Sequence, residues 1–248
     1  MIHCFQSADA LVEKLSFDFL DFIELENPPG RRIHIALSGG NTPRIFFEKI
    51  AVNQYKRDKP VPWNKVHFFW ADERCVPPEH RDSNYGMTRK ILLEKINLED
   101  QNVHRIMGEN DPEKEVVRYA LEIQSQIASK DGIPVFDWII LGIGEDGHTA
   151  SIFPNRFDLL NSEQICAAVQ HPETGQSRVT LTGRTILQAR RITFLVTGVS
   201  KSQVVRQILN NEAEASQYPA GYIFNHRKSI DWYLDDAAAQ YLKSSSPW

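Results

Sequence analysis

The sequence predicts an α/β fold built on a mainly parallel sheet covered by helices, and three observations carry that expectation. Apolar runs of strand length alternate along the chain with longer stretches of helical period. The strand-like runs are apolar throughout rather than alternating, as strands buried on both faces are. A polar cluster follows each of these runs within a residue or two, on the edge where ligands bind in parallel sheets.

The strands expected are Ile33–Leu37, Val66–Trp70, 136–141 and 192–196, each bounded by charge, Gly or Pro. Between the first two, Thr42 followed by Pro43 starts a helix that buries Phe46 and Ile50. Asp111 and Pro112 open a second helix, with Val116, Ala120, Ile123 and Ile127 on one face. A third begins near Ser200 and buries Val204, Val205, Ile208 and Leu209. Residues 53–64, rich in Lys and Pro, and the terminal SSSPW read as loose. There is no internal repeat or low-complexity stretch, so residues 1–248 are expected to form a single domain.

Composition narrows the function classes. With 248 residues and 42% hydrophobic content, the chain can bury one sizeable core. Its 28 basic and 32 acidic residues give a net charge of −4, so no global positive field exists to hold nucleic acid or an anionic membrane. An anionic ligand must be held by local charge. Cys4, Cys75 and Cys166 are odd in number and far apart, without a CxxC pair or zinc-ligand spacing, and read as reduced thiols. The opening MIHCFQSADALVEKL has no signal-peptide pattern, and no apolar run approaches the roughly 20 residues of a membrane span. The expectation is a cytoplasmic protein without a metal site, monomeric or weakly self-associating.

Four clusters converge on the carboxyl edge of the predicted sheet: Ser38-Gly39-Gly40-Asn41-Thr42-Pro43, Asp72-Glu73-Arg74, 142–148 (GIGEDGH) and 197–201 (TGVSK). The first puts glycines and hydroxyls before a helix N-terminus, where free N–H groups and the dipole favour a phosphate; the competing reading is an ordinary turn capped by Thr42. Lys201 sits in the first turn of its helix, where a cation opposes the dipole unless it meets an anion, although a solvated lysine fits too. Arg178 precedes a β-like stretch and is a second candidate cation, against a plain surface arginine. Asp72-Glu73-Arg74 puts both signs of charge after the apolar HFFW, so that Arg74 is a candidate for a phosphate or oxyanion and Asp72 for a hydroxyl. The alternative is an ion pair that fixes the loop.

Gly142, Gly144 and Gly147 spell a G-x-G-x-x-G, but Pro154 follows within two turns and no strand-end acid lies roughly twenty residues on, so a dinucleotide site is rejected. The loop instead delivers Asp146 and His148. A histidine titrates near neutrality and can take a proton from water, while a neighbouring carboxylate holds its tautomer. A structural histidine in a turn is the competing reading.

Taken together, LSGGNTP, WADERCVPPEHRDSNYGM, FDWIILGIGEDGHTASIFP, RVTLT and FLVTGVSKSQVV closely resemble the 6-phosphogluconolactonase family in order and spacing, from about Leu37 to the segment 231–235. The resemblance implies a three-layer αβα, modified Rossmann-like fold and hydrolysis of 6-phospho-D-glucono-1,5-lactone to 6-phosphogluconate in the oxidative pentose phosphate pathway, with no cofactor. It implies His148 as catalytic base with Asp146 beside it. Ser38, Gly39, Gly40, Asn41, Thr42, Asp72, Arg74, Gly144, Arg178 and Lys201 are carried as substrate or phosphate contacts, with no individual role for Asn41 or Glu145, which stand where such loops vary. Glucosamine-6-phosphate deaminases resemble the chain next best. They carry a glutamate five residues after the histidine, where this chain has Phe153, and an aromatic residue where it has Arg74. A non-catalytic sugar-phosphate sensor would need a DNA-binding helix-turn-helix, and the 32 residues before the first expected strand offer no basic recognition helix.

Overall fold

The computed structural model describes residues 1–26 and 30–242; the SSSPW segment lies outside them. In chain order the strands are β1 (Ile2–Phe5), β2 (Ile33–Leu37), β3 (Val66–Trp70), β4 (Asp72–Arg74), β5 (Val103–His104), β6 (Ser129–Lys130), β7 (Ile133–Pro134), β8 (Trp138–Leu141), β9 (Cys166–Gln170), β10 (Ser177–Leu181), β11 (Arg191–Val196) and β12 (Asp231–Asp235). The helices are α1 (Ala8–Leu25), α2 (Asn41–Asn53), α3 (Asn84–Ile91), α4 (Pro112–Gln126), α5 (Gly183–Gln188), α6 (Ser202–Leu209), α7 (Pro219–His226) and α8 (Asp236–Ala239). Seven strands form one parallel sheet in the order β1-β12-β11-β8-β2-β3-β5, which is the α/β architecture the alternation of apolar runs predicts. β2 and β8 lie side by side at its centre, so the loops that follow them share one crevice.

Helices cover both faces. Ser7 caps α1 by accepting from the Ala10 N–H at 3.2 Å, and the buried stripe Leu11, Leu15, Phe19 and Ile23 recurs at helical spacing. Phe19 meets Phe46 of α2 edge-on at 5.6 Å and Trp138 of β8 at 5.5 Å, which seats both helices on one face. On the other face Phe224 of α7 packs edge-on against Trp232 of β12. α4 begins as expected: Asp111 accepts from the Lys114 N–H and Pro112 takes the first helical turn. Val116 and Ile123 are buried, but Ala120 is only partly so and Ile127 lies past the helix end. The stripe is completed instead by Tyr119, whose buried hydroxyl donates to the Trp70 carbonyl and accepts from its N–H, fixing the end of β3 from which the acidic segment departs.

Several boundaries differ from expectation. The 136–141 strand begins at Trp138 because the Asp137 carboxylate takes the His34 N–H that a ladder carbonyl would take. The 192–196 strand starts one residue earlier, at Arg191. β1 was not expected; it pairs in parallel with β12 at the sheet edge. The 53–64 stretch is pinned rather than loose. Asn53 is buried and donates to Ser16, Arg57 is held by Asp21 and Glu24, and Trp63 donates to Gln54. Leu209, expected to be buried, is only partly so.

One core feature has a pH signature. His34 and His67 are in register on β2 and β3, and His67 Nδ1 lies 2.8 Å from His104 Nε2. Burial, then the neighbouring histidines and Arg32, lower the His67 pKa from 6.5 to about 4. Between those values the unfolded chain holds more protons than the folded one, so stability falls as the pH drops from 6.5 towards 4, by about 3 kcal/mol at most. A melting temperature that declines over this window in the parent and more shallowly in His67→Gln is the expected result; equal slopes would show that the pair does not carry the effect.

Candidate active site

The four polar clusters do meet at the carboxyl edge. After β2 the chain turns through Ser38-Gly39-Gly40 into α2, whose first turn has no side-chain cap, so its leading N–H groups face the crevice without an intrahelical acceptor. Thr42 is not the cap. Its hydroxyl lies 2.6 Å from that of Thr197, joining the first and fourth clusters. Ser38 Oγ is buried and has no hydrogen-bond partner among the described residues. Gly39 packs against Asn84, which would collide with any side chain there. Asn41 is exposed at the start of α2.

The loop after β8 runs to the short turn Phe157–Leu160 without a helix, as the rejection of a dinucleotide site requires. Within it Asp146 Oδ1 lies 2.6 Å from His148 Nδ1 and also accepts the His148 N–H at 3.2 Å. Burial alone would raise the Asp146 pKa, but the hydrogen bond and charge of His148 outweigh it and hold the carboxylate below its usual range. Nδ1 is therefore the donor to Asp146, and Nε2 is the nitrogen left to accept a proton. Gly144 makes room for this pair. A Cβ there would come within 2.1 Å of His148 Nδ1 and 2.4 Å of Asp146 Oδ1. Its N–H donates to the His148 carbonyl, so Gly144 shapes the loop and has no free N–H for a substrate, contrary to its expected role as a contact. Gly147, at φ 77°, takes the left-handed turn that brings His148 round, and its carbonyl accepts from the Ala220 N–H.

Asp72, Glu73 and Arg74 form β4, which pairs with β10 in a small antiparallel sheet, β4-β10-β9, not anticipated from the sequence. The competing reading, an ion pair within the segment, is not what forms among the described residues. Glu73 is buried and accepts from the N–H groups of Arg74, Asn84 and Tyr85 and from the Ser83 hydroxyl, which locks the start of α3 to β4. Asp72 is also buried, and its Oδ2 accepts from Ser151 at 2.7 Å. That leaves Arg74 without a carboxylate among the described residues; its Nη1 donates to the Asp82 carbonyl and its buried Nε has no partner among them.

Arg178 stands within β10 rather than before it, in register with Arg74. It is 9% exposed, its Nη1 reaches only Ser151 Oγ at 3.3 Å, and its Nε has no partner. Burial pulls its pKa below the ordinary value; Asp72 opposes that and the adjacent Arg74 charge reinforces it. Two neighbouring guanidinium groups, neither forming an ion pair among the described residues, make a site that favours an anion. Lys201 follows Gly198 in a short turn before α6 and pairs at 3.7 Å with Glu145, a residue given no role beforehand.

Three contributors escaped sequence reasoning. Phe153 is fully buried, its ring 4.9 Å from His148 and 5.6 Å from the Arg178 guanidinium, so one aromatic wall backs both base and cation. Ser151 links Asp72 to Arg178; the DGHTAS run was the signal for it. Tyr218 packs on Gly147 and is held by Gln207, and no local pattern announces it. The cysteines offer no nucleophile: burial and nearby carboxylates push Cys75 up to about 11 and Cys166 up to about 12, so both stay protonated near neutrality. No group of three or more potential metal ligands occurs among the described residues.

The chain matches the family model described as glucosamine-6-phosphate isomerases/6-phosphogluconolactonase over residues 6–232. It is 41% identical to the 6-phosphogluconolactonase of Haemophilus influenzae over 238 residues, covering 96% of this chain and 98% of that protein. The human 6-phosphogluconolactonase is 38% identical over 212 residues, 85% of this chain and 81% of that one. Among solved structures, the 6-phosphogluconolactonase of Trypanosoma brucei superposes with a TM-score of 0.85 at 28% identity, covering 98% of each chain. A monomeric glucosamine-6-phosphate deaminase superposes with a TM-score of 0.80 over 96% of this chain and 98% of that one, but at 20% identity it speaks for the fold alone.

Proposed function

The chain belongs to the glucosamine-6-phosphate isomerase/6-phosphogluconolactonase family, and on that premise we propose that it hydrolyses 6-phospho-D-glucono-1,5-lactone to 6-phosphogluconate, the lactonase step of the oxidative pentose phosphate pathway. The observation that carries this reading is the His148–Asp146 pair at the same sheet edge as Arg74 and Arg178, which pair with no carboxylate among the described residues. Neutral His148 takes a proton from water through Nε2 while the water oxygen bonds to the lactone C1. Arg74 and N–H groups of the loop after β2 meet the oxyanion. As the tetrahedral species collapses, the bond from C1 to the ring oxygen breaks, the His148 proton passes to that oxygen, and the open acid leaves with its hydroxyl restored. Asp146 keeps Nδ1 protonated and stabilises the imidazolium. No covalent nucleophile or metal takes part.

Phe153 supports this reading over a deaminase, because it fills with an apolar ring the space beside His148. The test is a coupled assay in which freshly generated lactone is presented, with and without chelator, and the acid is followed above the spontaneous rate. Acceleration that survives chelation is expected; no acceleration, with ammonia released from glucosamine 6-phosphate, would overturn the proposal.

Phosphate recognition is assigned to Arg178 and Lys201. Lys201→Ala should raise KM for the phosphorylated lactone by about ten- to a hundredfold, the worth of one charge-assisted contact, with little change for the non-phosphorylated lactone. Equal losses on both substrates would mean that Lys201 does not bind phosphate.

A further inference from the structure

The strands β2, β8 and β11 carry site loops at their carboxyl ends. Their amino ends meet at the opposite edge of the sheet, around a cavity of about 500 Å³, within the range of small-molecule sites. Its walls bring together five cations, Arg31, Arg32, Lys130, Arg190 and Arg227, against a single carboxylate, Asp137. This runs against a chain whose net charge is −4.

The one carboxylate is already engaged. Asp137 accepts from Arg31 at 2.7 Å and from the His34 N–H at 2.9 Å, and lies 3.3 Å from Arg190. Glu26, outside the cavity wall, pairs with Arg31 as well. Among the described residues Arg227 donates only to the carbonyls of Leu187, Ala189 and Arg190, neutral acceptors that leave its charge uncompensated. Among the described residues Arg32 reaches no carboxylate, only the Gln126 amide oxygen at 3.4 Å. The Nε2 atom of His34, which also lines the cavity, is buried without a partner. Like charges gathered in a concave site repel one another unless an anion enters, and the low-dielectric walls strengthen its attraction.

We propose that this cavity is a second anion site, separate from the catalytic crevice, that takes the phosphate or pyrophosphate group of a small molecule. Arginine forks from three segments converge there, the geometry that suits phosphate oxygens. A ligand bridging the starts of β2, β8 and β11 ties together the three strands whose other ends hold the site loops, and stabilises the folded chain in proportion to its occupancy.

The test is calorimetric titration of the full chain with pyrophosphate at low salt, with 6-phosphogluconate saturating the catalytic crevice. Saturable binding of one pyrophosphate per chain is expected. It should weaken by at least about tenfold in an Arg32→Ala/Arg190→Ala double variant, whose replaced side chains are exposed and whose unchanged melting temperature without ligand shows that the fold is kept. Lys201→Ala should leave pyrophosphate binding unaltered. Absence of saturable binding at millimolar pyrophosphate overturns the proposal, as does equal affinity in the double variant. Loss of binding in Lys201→Ala also overturns it, by assigning pyrophosphate to the crevice. None of these outcomes depends on turnover, so the lactonase reading stands or falls separately.

Discussion

Replacing His148 by glutamine should lower turnover on the phosphorylated lactone by roughly a hundred- to ten-thousand-fold while KM changes little, the usual worth of a positioned general base. The lactone carbonyl is already electrophilic, so the barrier the protein has to lower is deprotonation of water and accumulation of charge on the carbonyl oxygen. Glutamine keeps a polar side chain of similar reach but takes no proton at neutral pH. The groups assigned to the phosphate, Arg178 and Lys201, lie on other elements and are untouched, which is why binding should persist. Steady-state kinetics on a folded variant, with spontaneous hydrolysis subtracted, check this; near-normal turnover would place water activation elsewhere, with Asp72 the next group to replace.

A comparable loss should follow from adding one methyl group to a residue that has no side chain at all. In Gly144→Ala the new Cβ would fall within 2.1 Å of His148 Nδ1 and 2.4 Å of Asp146 Oδ1, closer than non-bonded atoms approach. Both neighbours are side-chain ends on a loop, so the imidazole and carboxylate shift and the fold survives. A displacement of about 1 Å at a reacting group costs on the order of a hundredfold in rate. The expected outcome is therefore a stable protein, by thermal melting, with turnover down by about that factor and KM for the phosphorylated lactone nearly unchanged. A variant as active as the parent would show that the dyad geometry is not what sets the rate.

The sequence shows the sheet and the convergence of loops because both rest on local signals. A buried parallel strand is a compact apolar run, and the residues that leave its carboxyl end are polar and glycine-rich. Hence β2 and β3 were legible to the residue, and Asp146 and His148 could be placed in the crevice together. What stayed hidden depends on pairing between distant segments. β4 is only three residues long, and it is its antiparallel register with β10 that sets Arg74 beside Arg178. Glu73 reads as a candidate catalytic or ion-paired acid until its four donors, gathered from Arg74 and the start of α3, show it to be a structural brace. Gly144 is carried from the sequence as a substrate contact, and the structure shows instead the volume that His148 and Asp146 occupy. Phe153 can be set against the deaminase pattern by its position, but the sequence does not separate a core ring from one that backs both the base and a cation.

The central claim is that neutral His148 activates water, and its most direct test is the pH dependence of kcat/KM in the parent beside that in His148→Gln, after subtraction of spontaneous hydrolysis. The parent rate should fall about tenfold per pH unit once the imidazole is protonated, and the residual rate of the variant should lack that step. A His148→Gln protein that keeps the parent's turnover and its acid limb would contradict it.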